Sequence, residues 1–165
     1  MSLATIMLQQ LAIARQVMKG GYEMVPAWRI EASEGAFLVR TRFDPDQPGQ
    51  PERALFLIGR FLVWKKATSY VLTAVTWLGP EVMRTGEEAL LTIGASRHVR
   101  LAVMQGIRRG DAVSFREAEW LQPSQLDLAY FKMLPTRATE VSATEAAELT
   151  RIFGKNGELP ASRVC

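Results

Sequence analysis

Residues 54 to 78 read ALFLIGRFLVWKKATSYVLTAVTWL, a run without one acidic side chain. No other segment restricts the fold as much, because the run is as long as the ~20 residues that cross a bilayer. Three features speak against a span. Arg60, Lys65 and Lys66 fall inside it, and each central Lys or Arg costs about 2.5–3.5 kcal/mol on insertion scales. Arg53 and Arg60 are seven apart, so a helix here has one polar edge. The composition also changes at Thr68: five of the nine residues from Thr68 to Thr76 are β-branched, against only Ile58 and Val63 between Ala54 and Trp64. Stiff β-branched side chains favour strands. The run therefore reads as a helix over 52–66, opened by Pro51 and Glu52, feeding a buried strand over 68–78 that Gly79-Pro80 ends.

The flanking segments supply the rest of an α+β fold. Residues 3–19 form an amphipathic helix, with Leu3, Met7, Leu11, Ala14 and Met18 at helical spacing and Ile6, Ile13 and Val17 widening the stripe. Core packing explains that stripe better than a membrane surface, since the polar face carries little positive charge. Gly20-Gly21 ends the helix. Two short strands follow at 28–30 and 37–43, with Arg40 and Arg42 alternating against Val39, Thr41 and Phe43. DPDQPGQP, residues 44–51, is an exposed loop; Asp44 and Asp46 lack the further ligands of a calcium loop. Strands at 88–94, 99–107 and 112–121 complete an antiparallel meander over 68–121, because short turns join antiparallel neighbours. A helix at 124–133 and another at 143–153, opened by the capping box Ser142-Ala143-Thr144-Glu145, finish the chain. The expectation is one domain over 1–165, with five to six mostly antiparallel strands, three to four helices and a frayed tail after about residue 157.

No catalytic, metal or cofactor motif is visible, and no cofactor is expected. The chain has one histidine, His98, and one cysteine, Cys165, so a nucleophile–histidine device or a Cys/His metal cluster has almost nothing to be built from. Glu87-Glu88 and the pair Glu117 and Glu119 are the remaining carboxylate candidates; the simpler account is a solvated outer face. No phosphate-binding glycine loop occurs. The single cysteine suits a reducing compartment, and the first apolar run does not read as a signal peptide, since no Lys or Arg precedes it and Gln9 and Gln10 interrupt it. A cytoplasmic location is expected, in a bacterial setting, since arginine outnumbers lysine fifteen to five.

Charge supplies the binding candidates. From Arg60 to Arg109 there are eight basic residues against three acidic ones, leaving the remainder of this +3 chain slightly acidic. Arg97, His98, Arg100, Arg108 and Arg109 cluster in sequence around one strand. Arg97 and Arg109 would nevertheless stand ~35–40 Å apart along an extended chain at ~3.3 Å per residue, so they make two small patches rather than one pocket, with Arg40 and Arg42 as candidates to join one of them. The leading functional expectation is a soluble, non-enzymatic binding or accessory protein. It would act through a sheet face or an oligomer interface, with a protein partner or a second copy such as a homodimer. Four tryptophans, seven methionines and many arginines fit interface chemistry. The alternatives are an enzyme with a dispersed carboxylate–arginine site, drawing on Glu117, Glu119 or Asp127, and a weak nucleic-acid binder. Neither nucleic acid nor a membrane is the expected partner.

Overall fold

A computed structural model of the chain describes residues 1–41, 48–77, 88–126, 131, 133–134, 140–154 and 158–159. Helix α1 (Leu3–Lys19) precedes the hairpin β1 (Ala27–Ala32) and β2 (Gly35–Thr41). Helix α2 (Gln50–Trp64) leads to β3 (Ser69–Trp77), β4 (Glu88–Ser96), β5 (Arg100–Arg109) and β6 (Val113–Leu121). A 3-10 turn (Pro123–Gln125), helix α3 (Ala143–Phe153) and the two-residue strand β7 (Glu158–Leu159) follow. One sheet results, in the order β6-β5-β4-β3-β1-β2-β7, antiparallel throughout except for the parallel β2–β7 pairing. The fold is α+β, as expected. Half of the helix expected at 124–133 lies outside the described residues; its described start is only the 3-10 turn. Glu158 and Leu159, in the segment expected to fray, pair with Arg40 and Thr41. No helix among the described residues is long and apolar enough to cross a membrane.

The apolar run resolves into two elements whose junction contains neither glycine nor proline. Helix α2 starts two residues earlier than expected, because Gly49 takes a left-handed φ of 83° and Pro51 sits in the first turn. It ends two residues earlier, because Lys66 itself adopts a left-handed φ of 52°. The Lys66 N–H then donates to the Val63 carbonyl (3.1 Å) and the Ala67 N–H to the Leu62 carbonyl (3.0 Å), the paired bonds of a Schellman ending. The chain leaves this turn as β3, hydrogen-bonded between β1 and β4. With β1 between them, β2 and β3 run parallel, so α2 is the crossover of a split β-α-β unit.

Two cores follow from the strand phase. Tyr70 and Leu72 of β3, Trp28 and Ile30 of β1, Val39 of β2 and Ile93 of β4 face α2 and α3, where Phe61 meets Phe37, Trp64 and Phe153 edge-on or tilted. Val71, Leu90, Val103 and Ile107 face α1. The α2–α3 layer is tied by a two-pronged ion pair from Arg60 to Glu145 (Nε–Oε1 2.5 Å, Nη2–Oε2 2.8 Å). Only half of the capping box forms. The Ser142 hydroxyl accepts from the Glu145 N–H at 3.1 Å, while the Glu145 carboxylate reaches across to Arg60.

Under α1, Gly94 gives the helix its closest seat; a Cβ built there falls 2.5 Å from the Met7 sulfur. Gln105, buried among apolar neighbours, is satisfied at both ends. Its Nε2 donates to the Arg116 carbonyl (2.6 Å) and its Oε1 accepts from Arg15 of α1 (2.9 Å). The bond to Arg116 falls beside a bulge, where the pairing slips between Gln105 and Ile107.

Candidate binding groove

Helix α1 rests on β3 and β4 and reaches β6, and no helix among the described residues lies over the α1 side of β1 and β2. Along β2, the residues in that phase, Ala36, Leu38 and Arg40, are all exposed. The α1 stripe is wider than its seat. Its buried row is Ile6, Met7, Leu11, Ala14 and Met18, while Gln10, Ile13 and Val17, at i, i+3 and i+7, line the open side. Gly20 and Gly21 then close the helix, with Gly21 at φ 81°, and send Tyr22 to Val25 along the end of the gap.

A groove of about 630 Å³ results, floored by β1–β2 and by Thr73 of β3. Its exposed apolar side chains are large: Ile13 is 52% accessible, Leu38 44% and Tyr22 74%. Ala27 and Ala36 keep the floor low. Two guanidinium groups lie in the floor with different status. Arg29 is matched by Glu31 on its own strand (Nε–Oε1 2.7 Å), whereas Arg40 makes no ion pair among the described residues.

The five basic residues singled out in the sequence lie elsewhere. Arg97 and His98 form the corners of the β4–β5 turn, held by the Ser96 N–H donating to the Val99 carbonyl (2.8 Å), and both are exposed. Arg100 opens β5 nearby. Burial pushes the Tyr70 hydroxyl up to about 12, against the opposing pull of a bond with the Met133 backbone and of the Arg100 charge. Arg108 and Arg109 stand at the other end of β5, where Arg109 is paired with Glu88 (2.8 and 3.2 Å) and held more firmly protonated by that bond. The structure thus brings Arg97, His98 and Arg100 together and keeps Arg108 and Arg109 apart from them. Arg40 joins neither group; Arg42, Glu87 and Asp127 lie outside the described residues. Glu117 and Glu119 are exposed on β6, and no group of three His, Cys, Asp or Glu among the described residues could hold a metal ion.

The groove residues Ile13, Tyr22 and Leu38 were not singled out by their chemistry, although two signals existed. Ile13 and Val17 widen the α1 stripe, and Leu38 shares the exposed phase of Arg40. The chain matches no protein-family model, no curated protein and no solved structure.

Proposed function

We propose that this is a non-enzymatic binding protein that docks an amphipathic helix of a partner protein in the groove between α1 and β1–β2. The observation that carries this reading is the half-covered sheet face. Among the described residues the α2 side carries two helices, and the α1 side one. Two strands spaced ~4.8 Å apart present a strip about as wide as one helix, roughly 10 Å. A helix laid there would meet Ile13 and Val17 on its flank and Leu38, Ala36 and Ala27 beneath, the arrangement of a helix-in-groove complex. Arg40 supplies charge selectivity, favouring an acidic residue beside the partner's apolar stripe. A nucleic-acid surface would need a continuous basic face, and the basic residues of β5 are divided between its two ends, one arginine neutralised by Glu88.

Selection from a displayed library of amphipathic helical peptides tests the reading, with affinities measured by fluorescence anisotropy. Selected peptides should combine an apolar stripe with Asp or Glu, gain helicity on binding and lose at least tenfold affinity for Leu38→Glu and Ile13→Glu. Both positions are exposed, so the variants should keep the wild-type melting temperature. Failure to enrich any peptide over the double variant would overturn the proposal. So would a self-dimer that the double variant dissociates, which would put a second copy in the partner's place.

A further inference from the structure

The outward side of α2 carries a feature that no contact among the described residues explains. At 100° per residue, Glu52, Phe56, Gly59 and Val63 fall within an arc of about 60°. That arc faces away from the buried row Ala54, Leu57, Ile58, Phe61 and Leu62. Phe56 is 57% accessible, the one exposed phenylalanine among the described residues, and the Arg53 guanidinium lies 5.4 Å from its ring centroid. Gly59 sits mid-helix, where glycine is less stable than alanine. It does not take a left-handed φ, and a Cβ built on it meets nothing within 4 Å. Neither backbone conformation nor a close neighbour in its own chain accounts for a glycine there. A second helix packed on this face would, since a missing side chain lets two helix axes approach to about 8 Å.

The charges at the two ends of the face say which helix that is. Glu52 stands seven residues before Gly59 and Lys66 seven residues after it, roughly 10 Å away in each direction at 1.5 Å per residue. Both are exposed, and neither makes an ion pair among the described residues. The face is therefore complementary to its own reverse. Laid antiparallel with glycine on glycine, Glu52 comes opposite the partner's Lys66, and the same contact recurs at the other end. Phe56 falls against the partner's Val63, because one lies about 4.5 Å before Gly59 and the other about 6 Å after it. This reciprocity is what a two-fold contact requires.

We infer that two copies of this chain associate through α2, antiparallel about a two-fold axis at Gly59, with Phe56 and Val63 as the apolar contact and Glu52–Lys66 pairs closing both ends. One helix pair buries less than the standard interface of about 1,600 Å², which places the dimer in the weak, transient class. The face lies across the sheet from the groove, so the dimer leaves the groove open.

Sedimentation equilibrium of the full chain, from micromolar to millimolar, tests this. Wild type should show a reversible monomer–dimer equilibrium that Leu38→Glu and Ile13→Glu do not alter. Gly59→Leu should abolish it with the circular dichroism spectrum unchanged. Gly59→Ala should weaken it while raising the melting temperature, a pair of opposite signs that a purely structural glycine would not give. Glu52→Lys and Lys66→Glu should each weaken self-association about tenfold, two attractive contacts having become repulsive. Mixing these two variants should restore dimers at wild-type strength or better, since each then meets its opposite. A chain that stays monomeric at millimolar concentration would overturn the inference. So would a dimer that survives Gly59→Leu, or charge variants that fail to complement each other.

Discussion

The ending of α2 yields a prediction with an unusual sign. Lys66 occupies the left-handed position of a Schellman ending, the place that Gly21 takes at the end of α1 with the same pair of bonds (3.0 and 3.2 Å). A left-handed conformation costs an L-residue roughly 1–2 kcal/mol, and glycine escapes this cost. Against that, glycine loosens the unfolded chain by about 0.4–1 kcal/mol. The Lys66 side chain is exposed and makes no ion pair among the described residues. Its removal therefore forfeits only its favourable place at the helix C-terminus, about 0.3 kcal/mol. Comparing Lys66→Gly with Lys66→Ala cancels that charge effect. The glycine variant should be the more stable by about 0.5–1 kcal/mol, or roughly 1–4 °C in melting temperature for a chain of this size. In a right-handed helix interior the same comparison favours alanine by about 1 kcal/mol, so the sign alone decides. Urea unfolding followed by circular dichroism and tryptophan fluorescence, with unchanged m-values, measures it. A Lys66→Gly variant no more stable than Lys66→Ala would refute a left-handed residue 66, and with it this account of how helix passes to strand.

Other outcomes follow from the same contacts. Gln105→Met keeps the volume but removes the bonds to the Arg116 carbonyl and to Arg15, and should cost about 1–3 kcal/mol in urea unfolding; Arg15→Met added to it should cost clearly less than the two single changes together. Gly94→Ala should destabilise by about 1–3 kcal/mol through its clash with Met7, and less so in a Met7→Ala background; additive losses would mean that α1 does not rest on Gly94. The bond from Arg60 holds the Glu145 carboxyl below the usual range, so its contribution is present above the unfolded glutamate pKa and lost as pH falls through the folded value; Glu145→Gln should flatten acid unfolding, and unaltered acid sensitivity would count against the bridge. Tyr70, pushed up to about 12, contributes stability that is complete below pH ~10 and lost as pH rises toward 12; alkaline urea titrations should be flatter for Tyr70→Phe.

The sequence made the elements legible because each is written in a strong local period. The β-branched density after Thr68 announced β3, and its place between β1 and β4 is what a strand buried on both faces requires. The helix boundaries moved by two residues because the stop is a backbone conformation, and no residue type at 65–67 advertises it. The capping box was readable from Ser142, yet the fate of Glu145 was not. Its carboxylate could close the cap or reach Arg60, and only the packing of α2 against α3 brings that arginine within 2.5 Å.

The binding surfaces were harder to read for a physical reason. Sequence charge draws attention to arginines, but an arginine's neighbours decide what it can do. Arg109 is paired with Glu88 and Arg29 with Glu31, whereas Arg40 has no ion-pair partner among the described residues. That contrast depends on register, since Glu88 reaches Arg109 only once β4 pairs with β5. The apolar signals were present but ambiguous. Ile13 and Val17 extend a stripe that already has enough residues to seat one helix on a sheet, and Leu38 lies in the phase of an exposed arginine. Each alone is an ordinary exposed or half-exposed apolar residue, and single ones carry no information. They become a surface only when β1 enters the sheet between β2 and β3, setting β2 two strands beyond the reach of α1. A helix stripe broader than its seat and an apolar residue in the exposed phase of a strand point to the same uncovered area, and the split β-α-β connection places them side by side.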